Sequence, residues 1–513
     1  MEYNTLSIEN LKQKKTKISI FPINYLNLSD YLIGSFFFLF CYFFLVHSDL
    51  YLIGWCSLNF LFGHPLDFYE NCKHFLTGGY AIAASYPPST YASFALWLYP
   101  FKVIGLIKSP AFLSPFLVYW LKALTSIIYI ISGFIFYKIT EIYSKNNEWR
   151  KFTTWLWLTS PLAIFSQIIF SQCDIFYLFF TLGGFLCFLK NRIYLASFVF
   201  SIGVTFKYFP IFVFLPLLFF FEKNIIKIII SMIIFIIPTF LIKILFKNSP
   251  AYVEGVLNFF ALPRIFSASL NHGDVKIYCL FLMFAVLLGI CYALNNKNES
   301  SLQIAAYIFL VASILPFLVM LCHPGWVIFL TPAIVLTTML QRKDKIKSLL
   351  HLDLFGIVVF IIYIFIFFQD SVDSAMFQTN IFHIPFNNHY KIASLITSWQ
   401  NTIKNTSIYF SGFAAYLMLQ IILKYPNSKV KFLDIGMYFY RVIRIRYYFS
   451  ILIFIVPTIF AVYKSHLPKY ANALTNNNAY CVASLRNQKV GEKFIARCPI
   501  FNIVVQFLSI DKI

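Results

Sequence analysis

A few ionisable residues interrupt an otherwise apolar sequence, and their types suit one kind of chemistry. An acid, Asp49, follows the first long apolar segment in HSDLYLIGW, and Lys207 lies between two later ones in FKYFP. His323 heads the turn CHPGW. A carboxylate can accept the proton of a hydroxyl group while cationic groups neutralise a departing phosphate. The sequence therefore suggests a displacement in which a hydroxyl attacks and a phosphate leaves.

Further polar residues fall on the same side of the predicted helices. They lie in HPLDFYENC, YPPSTY, SQCD and NHGD, and comprise Asp67, Glu70, Tyr86, Gln172, Asp174, Asn271, His272 and Asp274. Each has a plainer interpretation, since carboxylates at helix ends can simply be solvated, Lys207 can extend to the membrane interface, and His323 can be a turn residue. Because all of them share one side, we favour a common reaction centre.

Several other kinds of site find no support in the sequence. No second carboxylate has a fixed spacing to Asp49, so an acid pair of the hydrolase type is not indicated. His383 and His389 share a segment, but their spacing is not that of metal ligands. The ten cysteines form no CxxC pair, and we find no glycine-rich phosphate loop. We therefore expect no resident cofactor, and leave a divalent metal open.

The composition places these residues in a membrane protein. Of 513 residues, 60% are hydrophobic and only 12% are charged, against roughly 25% charged in soluble chains. So few charges exclude a soluble enzyme, a disordered protein and a disulfide scaffold, and predict an all-α, polytopic protein of about 11–13 transmembrane helices. We interpret the net charge of +21 as a topology signal for the bilayer, not as a site for nucleic acid.

Apolar segments predict where the chain crosses. We expect Pro210 and Pro216 to break one long stretch into two short passes that meet at Lys207, and 91–107 to form a helix along the outer surface. The predicted helices are 29–47, 115–138, 152–167, 174–189, 194–207, 208–221, 225–246, 277–294, 302–321, 327–341, 353–368, 407–423 and 448–463.

Basic residues predict the orientation. With residues 1–28 as a cytoplasmic tail, this tail and the cytoplasmic loops together hold 23 lysines and arginines, against eight in the outer loops 48–114, 247–276 and 369–406. This asymmetry is typical of multi-pass proteins, so we predict one membrane domain over 29–463 with the catalytic acid in the first outer loop. We expect a cell membrane, the bacterial plasma membrane first and the endoplasmic reticulum if the source is eukaryotic.

The C-terminal tail, 464–513, is polar and basic, and this threading places it outside the cytoplasm. That breaks the charge trend, which long tails follow poorly. In such a compartment Cys481 and Cys498 could form a disulfide, or they could remain two unpaired thiols.

The motifs resemble those of the C-type (GT-C fold) glycosyltransferases, including the mannosyltransferases, which use polyprenyl-phosphate-linked sugars. The resemblance covers roughly 29–345 and rests on the order of short motifs. These are Asp49 with Trp55 and Gly63, YPPSTY at 86–91, Ser171-Gln172-Cys173-Asp174, Phe206-Lys207 and His323-Pro324-Gly325-Trp326. Two departures stand out: Ser171 replaces the usual glycine, and Pro-Gly follows His323 where Glu-Arg is common.

The resemblance implies roles for individual residues. It makes Asp49 the general base on the acceptor hydroxyl in an inverting transfer of a hexose. It makes Lys207, His323 and Arg264 the ligands of the donor phosphate. Contacts to the substrates would come from the remaining residues: Asp67, Glu70, Tyr86, Gln172, Asp174, His272 and Trp326. It also implies a polyprenyl-phosphate sugar as donor and a glycan or lipid-linked acceptor, at the periplasmic or luminal face.

Three other functions stay open. A glycan polymerase or ligase would use a large late outer loop, and the 369–406 segment with His383, His389 and Lys391 keeps that alternative alive. A transporter or flippase would also contain broken helices and isolated charges, but we find no internal repeat and the polar residues lie at helix ends. The last is a membrane scaffold without catalytic activity.

Overall fold

The structure is a computed structural model, and it is almost entirely helical. It describes residues 26–63, 65–75, 84–109, 114–258, 266, 268–296, 300–321, 323–367, 407–426, 439–456, 458–459, 493–498 and 501–506.

Among the described residues, the first half of the chain supplies twelve helices. They are α1 (Leu28–Phe44), α2 (Ser48–Phe62), α3 (Phe68–Phe75), α4 (Pro88–Val103), α5 (Pro115–Tyr143), α6 (Asn147–Leu158), α7 (Pro161–Ala163), α8 (Asp174–Leu189), α9 (Ile193–Val204), α10 (Pro210–Phe221), α11 (Ile225–Leu245) and α12 (Pro250–Tyr252). Wider π-helical turns continue α7 over Ile164–Ile169 and α12 over Val253–Leu257.

The described part of the second half adds six helices and two hairpins. Its elements are β1 (Ser269–His272), β2 (Val275–Tyr278), α13 (Cys279–Ala293), α14 (Ser301–Val319), a 3₁₀ turn (Pro324–Phe329), α15 (Thr331–Met339), α16 (Lys343–Phe367), α17 (Ser407–Leu423), α18 (Phe439–Ser450), β3 (Lys493–Cys498) and β4 (Phe501–Gln506). A π-helical turn, Ile451–Ile455, continues α18. Both strand pairs are antiparallel, β1 with β2 and β3 with β4.

The helices confirm an all-α, polytopic membrane protein. Within the described ranges four helices are long and apolar enough to cross a bilayer: Phe116–Tyr143, Ile225–Leu245, Ser301–Val319 and Lys345–Ile364. Two bent pairs bring the number to six if each pair counts as one span, one pair bent by 63° between α1 and α2 and one by 43° between α6 and α7. The 11–13 crossings that we predict require shorter apolar helices, such as α8 and α17, to cross as well.

The outer surface of the bundle shows which solvent it faces. Along α11 the side chains of Ile233, Ile237 and Phe240 are all about half exposed. A continuous apolar strip of this kind is unfavourable in water, but it matches the hydrocarbon of a bilayer.

Helix α8 lies inside the bundle and determines where several polar residues meet. It packs against α5, α9, α10 and the 3₁₀ turn. Gly184 permits the close approach of α9, because a Cβ there would lie 2.3 Å from the Phe200 ring. At the N-terminal end of α8 the Phe176 ring stacks on Phe206, with centroids 5.0 Å apart. This packing brings Asp174 and Lys207 to the same level.

Several predicted boundaries were wrong for local reasons. Helix α1 ends at Phe44, so Asp49 lies in the first turn of α2 and not at the end of the first helix. Pro210 begins α10 as expected, but Pro216 lies within that helix without ending it. Helix α16 starts at Lys343, ten residues before the prediction, because its first turns are polar and carry no hydropathy signal.

Other predictions concern segments that lie outside the described residues. These include Cys481, His383, His389 and Lys391. The pairing of Cys481 with Cys498, and the alternatives that depend on the 369–406 segment, therefore stay predictions.

Candidate active site

Asp49 is surrounded by hydrogen-bonding side chains from three separate parts of the chain. Its backbone N–H donates to Nδ1 of His47 at 3.2 Å, which caps the start of α2. Its Oδ2 accepts a hydrogen bond from Nε2 of Gln172 and lies 3.5 Å from Nε2 of His323. The side chain is still 34% exposed. The carboxylate is therefore held in place and remains accessible to a second reactant.

The hydrogen bonds also fix the protons of the two histidines. Nδ1 of His323 accepts from the backbone N–H of Gly325 at 3.3 Å, so in the neutral ring the proton is on Nε2, which faces Asp49. Nδ1 of His47 likewise accepts from Asp49, so its 3.6 Å approach to the carboxylate is not an ion pair. Asp49 thus faces one N–H of the Gln172 amide and one of a neutral imidazole.

The bend that presents Asp49 is held by a buried lysine, Lys122 of α5. Its Nζ donates to the carbonyls of Cys41, Tyr42 and Leu45, at 2.9, 2.7 and 2.5 Å. Three acceptors match the three protons of an ammonium group, and a cation at a helix C-terminus also interacts favourably with the helix dipole. Tyr119 adds a hydrogen bond from its hydroxyl to the Phe43 carbonyl at 2.8 Å. Helix α1 therefore ends where α5 supplies these donors.

Lys207 forms the second half of the site. Its Nζ pairs with Oδ1 of Asp174, the first residue of α8, at 2.5 Å. The carboxylate side chain is fully buried and the lysine side chain is 14% exposed. Lys207 lies in the turn between α9 and α10, so both partners are presented by helix ends. A buried carboxylate is stable only beside such a cation, so the pair fixes the lysine head group.

Aromatic rings enclose the ammonium group of Lys207. The ring centroid of Trp326 lies 4.5 Å from Nζ, and those of Tyr86, Tyr177 and Phe209 lie at 5.5 to 5.7 Å. Each ring face is attractive to a cation at this distance. Tyr86 is itself fixed, because its carbonyl accepts from the Tyr69 hydroxyl at 2.7 Å. Rings so placed also provide flat apolar faces of the kind on which sugars pack.

Gly325 connects the two halves. A Cβ at this position would lie 2.8 Å from Oε1 of Gln172 and 3.0 Å from Oδ2 of Asp174. The backbone of the His323 turn thus lies directly against the side chains that contact Asp49 and Lys207. A larger residue here would displace the end of the Gln172 or Asp174 side chain.

Ser171 has a backbone conformation that favours the glycine of the related motif. Its φ is +53°, in the left-handed region where glycine is unstrained and most other residues are disfavoured by about 1–2 kcal/mol. Its hydroxyl donates to the Ile168 carbonyl at 2.8 Å. This hydrogen bond partly offsets the strain, so serine keeps the turn that orients Gln172.

We expect Ser171→Gly to leave the protein about as stable as the parent, because relief of strain offsets the lost hydrogen bond. Ser171→Ala should lower the free energy of unfolding by about 1 kcal/mol, because it keeps the strain and loses the hydrogen bond. Thermal unfolding in detergent micelles compares the two variants directly. A glycine variant less stable than the alanine variant would contradict this account.

The structure separates some predicted site residues from this cluster. Oε1 of Glu70 accepts from the Ser249 hydroxyl at 2.6 Å and from the Ala251 N–H at 3.2 Å, so it holds α3 against the start of α12. Asp67 is exposed in the turn before α3. His272 is exposed at the end of β1. Arg264 lies outside the described residues.

Sequence reasoning missed His47 and Lys122. His47 is fully buried, stacked on Phe170 with centroids 4.1 Å apart. A cation within an apolar helix such as α5 is costly unless it has partners, and that signal could have identified Lys122. For His47, the sequence offered no indication of a role in the site other than its position two residues before Asp49.

The cluster can perform acid–base chemistry on a hydroxyl group beside a fixed cation. Within the described parts of the chain, no three His, Cys, Asp or Glu side chains are grouped so that they could hold a metal ion. The arrangement therefore offers a base, neutral hydrogen-bond donors and an ammonium group within one region.

Comparison with known proteins adds an independent finding. Residues 97–272, roughly a third of the chain, match the sequence profile of Glycosyltransferase family 87. The matched segment contains Gln172, Asp174 and Lys207, whereas Asp49 and His323 lie outside it. No curated protein matches the sequence. The family match and the apolar helical bundle together identify the chain as a membrane-embedded glycosyltransferase.

Proposed function

We propose that this enzyme transfers a hexose from a polyprenyl-phosphate-linked donor to a hydroxyl of a glycan or lipid-linked acceptor. The transfer inverts the anomeric centre, and the fold is of the C-type. The Asp49 end of the bundle faces the periplasm or lumen, and the N-terminus is cytoplasmic. Mannose is the first sugar to test, because the motif resemblance includes the mannosyltransferases.

In the proposed reaction Asp49 takes the proton of the acceptor hydroxyl as its oxygen attacks the anomeric carbon. The new carbon–oxygen bond forms on the face opposite the phosphate. The bond from the anomeric carbon to the phosphate oxygen breaks, and its electron pair leaves with the polyprenyl phosphate. The Nε2–H of Gln172 and that of His323 hold the carboxylate in its ionised form and in a fixed orientation.

One observation carries the proposal. A partly exposed carboxylate held by Gln172 and a ring-enclosed lysine paired with Asp174 are linked at Gly325, which lies against the side chains of both Gln172 and Asp174. A base and a fixed cation in one region suit a transfer in which one group loses a proton and another gains negative charge. We assign the rings of Tyr86 and Trp326, which lie beside the Lys207 ammonium, to packing against the sugar.

The Lys207 ammonium is assigned to the donor phosphate. Asp174 accepts one of its three protons, which leaves two for phosphate oxygens. His323 contacts Asp49, so its predicted contribution to phosphate binding would follow from a turn of its ring when the donor arrives. Arg264, although outside the described residues, stays a predicted third ligand.

A matched pair of variants tests the role of Lys207. Lys207→Met should raise the KM for the lipid donor by at least about tenfold, and it should also destabilise the protein because Asp174 stays buried without a cation. Combining it with Asp174→Asn removes both charges and should restore stability but not donor affinity. Recovery of donor affinity in the double variant would remove Lys207 from the phosphate site.

The reaction itself can be measured with purified protein and radiolabelled polyprenyl-phosphate mannose and polyprenyl-phosphate glucose. The expected result is label on a glycan or lipid acceptor, with free polyprenyl phosphate as the second product. Anomeric analysis of the product should show inversion. Consumption of a nucleotide sugar without any lipid donor would contradict the proposed donor.

A further inference from the structure

Two cysteines that are distant in sequence meet in a small hydrophobic core. Cys56 lies in the middle of α2 and Cys72 in the middle of α3, and both are buried. This core is separate from the main core of the bundle, to which Cys173 and Cys291 belong. Its largest members are aromatic, and Tyr69 of α3 is one of them. The folded chain therefore places two thiols within one enclosed region.

The thiol groups of these two cysteines are in contact. Sγ of Cys72 donates a weak hydrogen bond to the Cys56 carbonyl at 3.9 Å, and the two thiols hydrogen-bond each other. The sulfur atoms of a disulfide are about 2.05 Å apart, so thiols that already touch need only a small further approach to form one. Two buried thiols can also serve as small apolar side chains that fill a core. The redox state of the compartment decides between these two states.

The small core lies at the end of the bundle that carries Asp49. Asp49 is in the first turn of α2, and Phe246 and Tyr252, which follow the last turn of α11, pack in the same core. The orientation in the proposed function, on which this step rests, places that end in the periplasm or lumen. Both are oxidising compartments in which disulfides form and persist, whereas cytosolic thiols stay reduced. A disulfide is therefore the expected state of two touching thiols here.

Helix α3 is connected to the candidate active site through Tyr69. Tyr69 lies one turn before Cys72, and its hydroxyl donates to the Tyr86 carbonyl at 2.7 Å. The Tyr86 N–H donates to the Tyr91 hydroxyl at 3.2 Å. The Tyr86 ring centroid lies 5.5 Å from Nζ of Lys207. A bond that fixes α3 on α2 would therefore also fix the position of this ring, which the proposed function assigns to the sugar.

We propose that Cys56 and Cys72 form a disulfide bond that holds α3 against α2 and thereby positions Tyr86. The two thiols lose two protons and two electrons as the sulfur–sulfur bond forms. The oxidant is the disulfide of a thiol oxidoreductase of that compartment, whose two sulfur atoms take up both electrons and both protons and become thiols. Because both cysteines are buried in the folded protein, this exchange takes place while α3 is still docking.

Non-reducing mass spectrometry tests the bond on full-length protein from membranes whose free thiols have been blocked with N-ethylmaleimide. The expected result is a linked pair of peptides, containing Cys56 and Cys72, that separates after reduction. Cys56→Ala and Cys72→Ala should each lower the melting temperature by about 2–4 °C, and the double variant should be no less stable than either, because one bond constrains the loop between them. Cys291→Ala removes a buried thiol of α13 outside this core, and its effect should add to that of Cys72→Ala.

Kinetics test the positioning of Tyr86. Cys72→Ala should raise the KM for the lipid donor about threefold at an unchanged kcat, whereas Cys291→Ala should keep the parental KM. The proposal is overturned if Cys56 and Cys72 both carry the blocking group, or if Cys72→Ala keeps the parental donor KM.

The same preparation separates this proposal from the proposed function. Blocked thiols in an enzyme that transfers sugar would overturn the disulfide alone, whereas a linked peptide pair in a protein that transfers none would support the disulfide and contradict the proposed function. Asn271 is exposed in β1, so Asn271→Cys should react with a membrane-impermeant maleimide added to intact cells, which tests the orientation separately.

Discussion

Asp49→Asn should reduce the rate of sugar transfer by about a thousandfold while leaving membrane insertion and thermal stability near parental values. The asparagine amide has about the same volume as the carboxylate, but it cannot take up the proton of the hydroxyl group on the acceptor substrate. General-base catalysis contributes roughly 10²–10⁴ to such reactions. Single-turnover transfer from the radiolabelled lipid donor measures the effect directly. The KM for the donor should change little, because Asp49 acts on the acceptor.

Asp67→Asn is the matched control for this prediction. It removes the same charge from an exposed turn between α2 and α3, outside the Asp49 cluster, and should transfer sugar at the parental rate. If Asp49→Asn also transfers at the parental rate, Asp49 is not the base. If both variants lose activity equally, the loss reflects the negative charge of this region and not proton transfer.

Much of the helical arrangement could be predicted from hydropathy. The predicted bounds 174–189 and 407–423 agree with α8 and α17, because charged or proline-containing turns flank each apolar segment. The location of Asp49, Gln172, Lys207 and His323 at one end of the bundle could also be predicted. Counting the predicted membrane helices along the chain places the polar turns that carry these residues on the same side. Counting assigns a residue to one side of the membrane and so limits its possible partners.

The finer structure of the site depends on contacts between distant parts of the chain. The end of α1 is set by Lys122, which lies 81 residues from Cys41 in sequence, and no local pattern encodes that pairing. Likewise, Glu70 is an acidic residue on the side of the bundle predicted for the substrates, but its carboxylate instead accepts hydrogen bonds from Ser249 and Ala251. Composition gives the depth of a residue in the membrane, whereas packing decides which neighbour it meets.

Replacing Lys122 with methionine should have the largest effect on stability. Methionine fills much of the same space but leaves three carbonyls at the end of α1 without their buried donor. Hydrogen bonds to charged groups each contribute about 1.5–3 kcal/mol to stability. Part of their loss is offset, because the variant no longer has to remove an ammonium group from water. We therefore expect a decrease of about 2–4 kcal/mol in the free energy of unfolding, measured by thermal and denaturant unfolding in micelles.

Lys122 should also affect catalysis, because it positions Asp49 through the bend between α1 and α2. Below the melting temperature, Lys122→Met should lower kcat by at least about tenfold with little change in the donor KM, since a displaced base acts on the chemical step. A merely structural role would reduce the amount of folded enzyme without this change in turnover per folded molecule.

Lys102→Met provides the comparison. Lys102 also caps a helix C-terminus, donating to the Leu61 carbonyl of α2 at 2.9 Å, but it makes one such bond and is partly exposed. Its loss should cost about 0.5–1 kcal/mol and leave kcat unchanged, because it lies at the end of α2 away from Asp49. Equal effects of the two substitutions on kcat would show that Asp49 does not depend on the bend. A parental kcat in Lys122→Met would lead to the same conclusion.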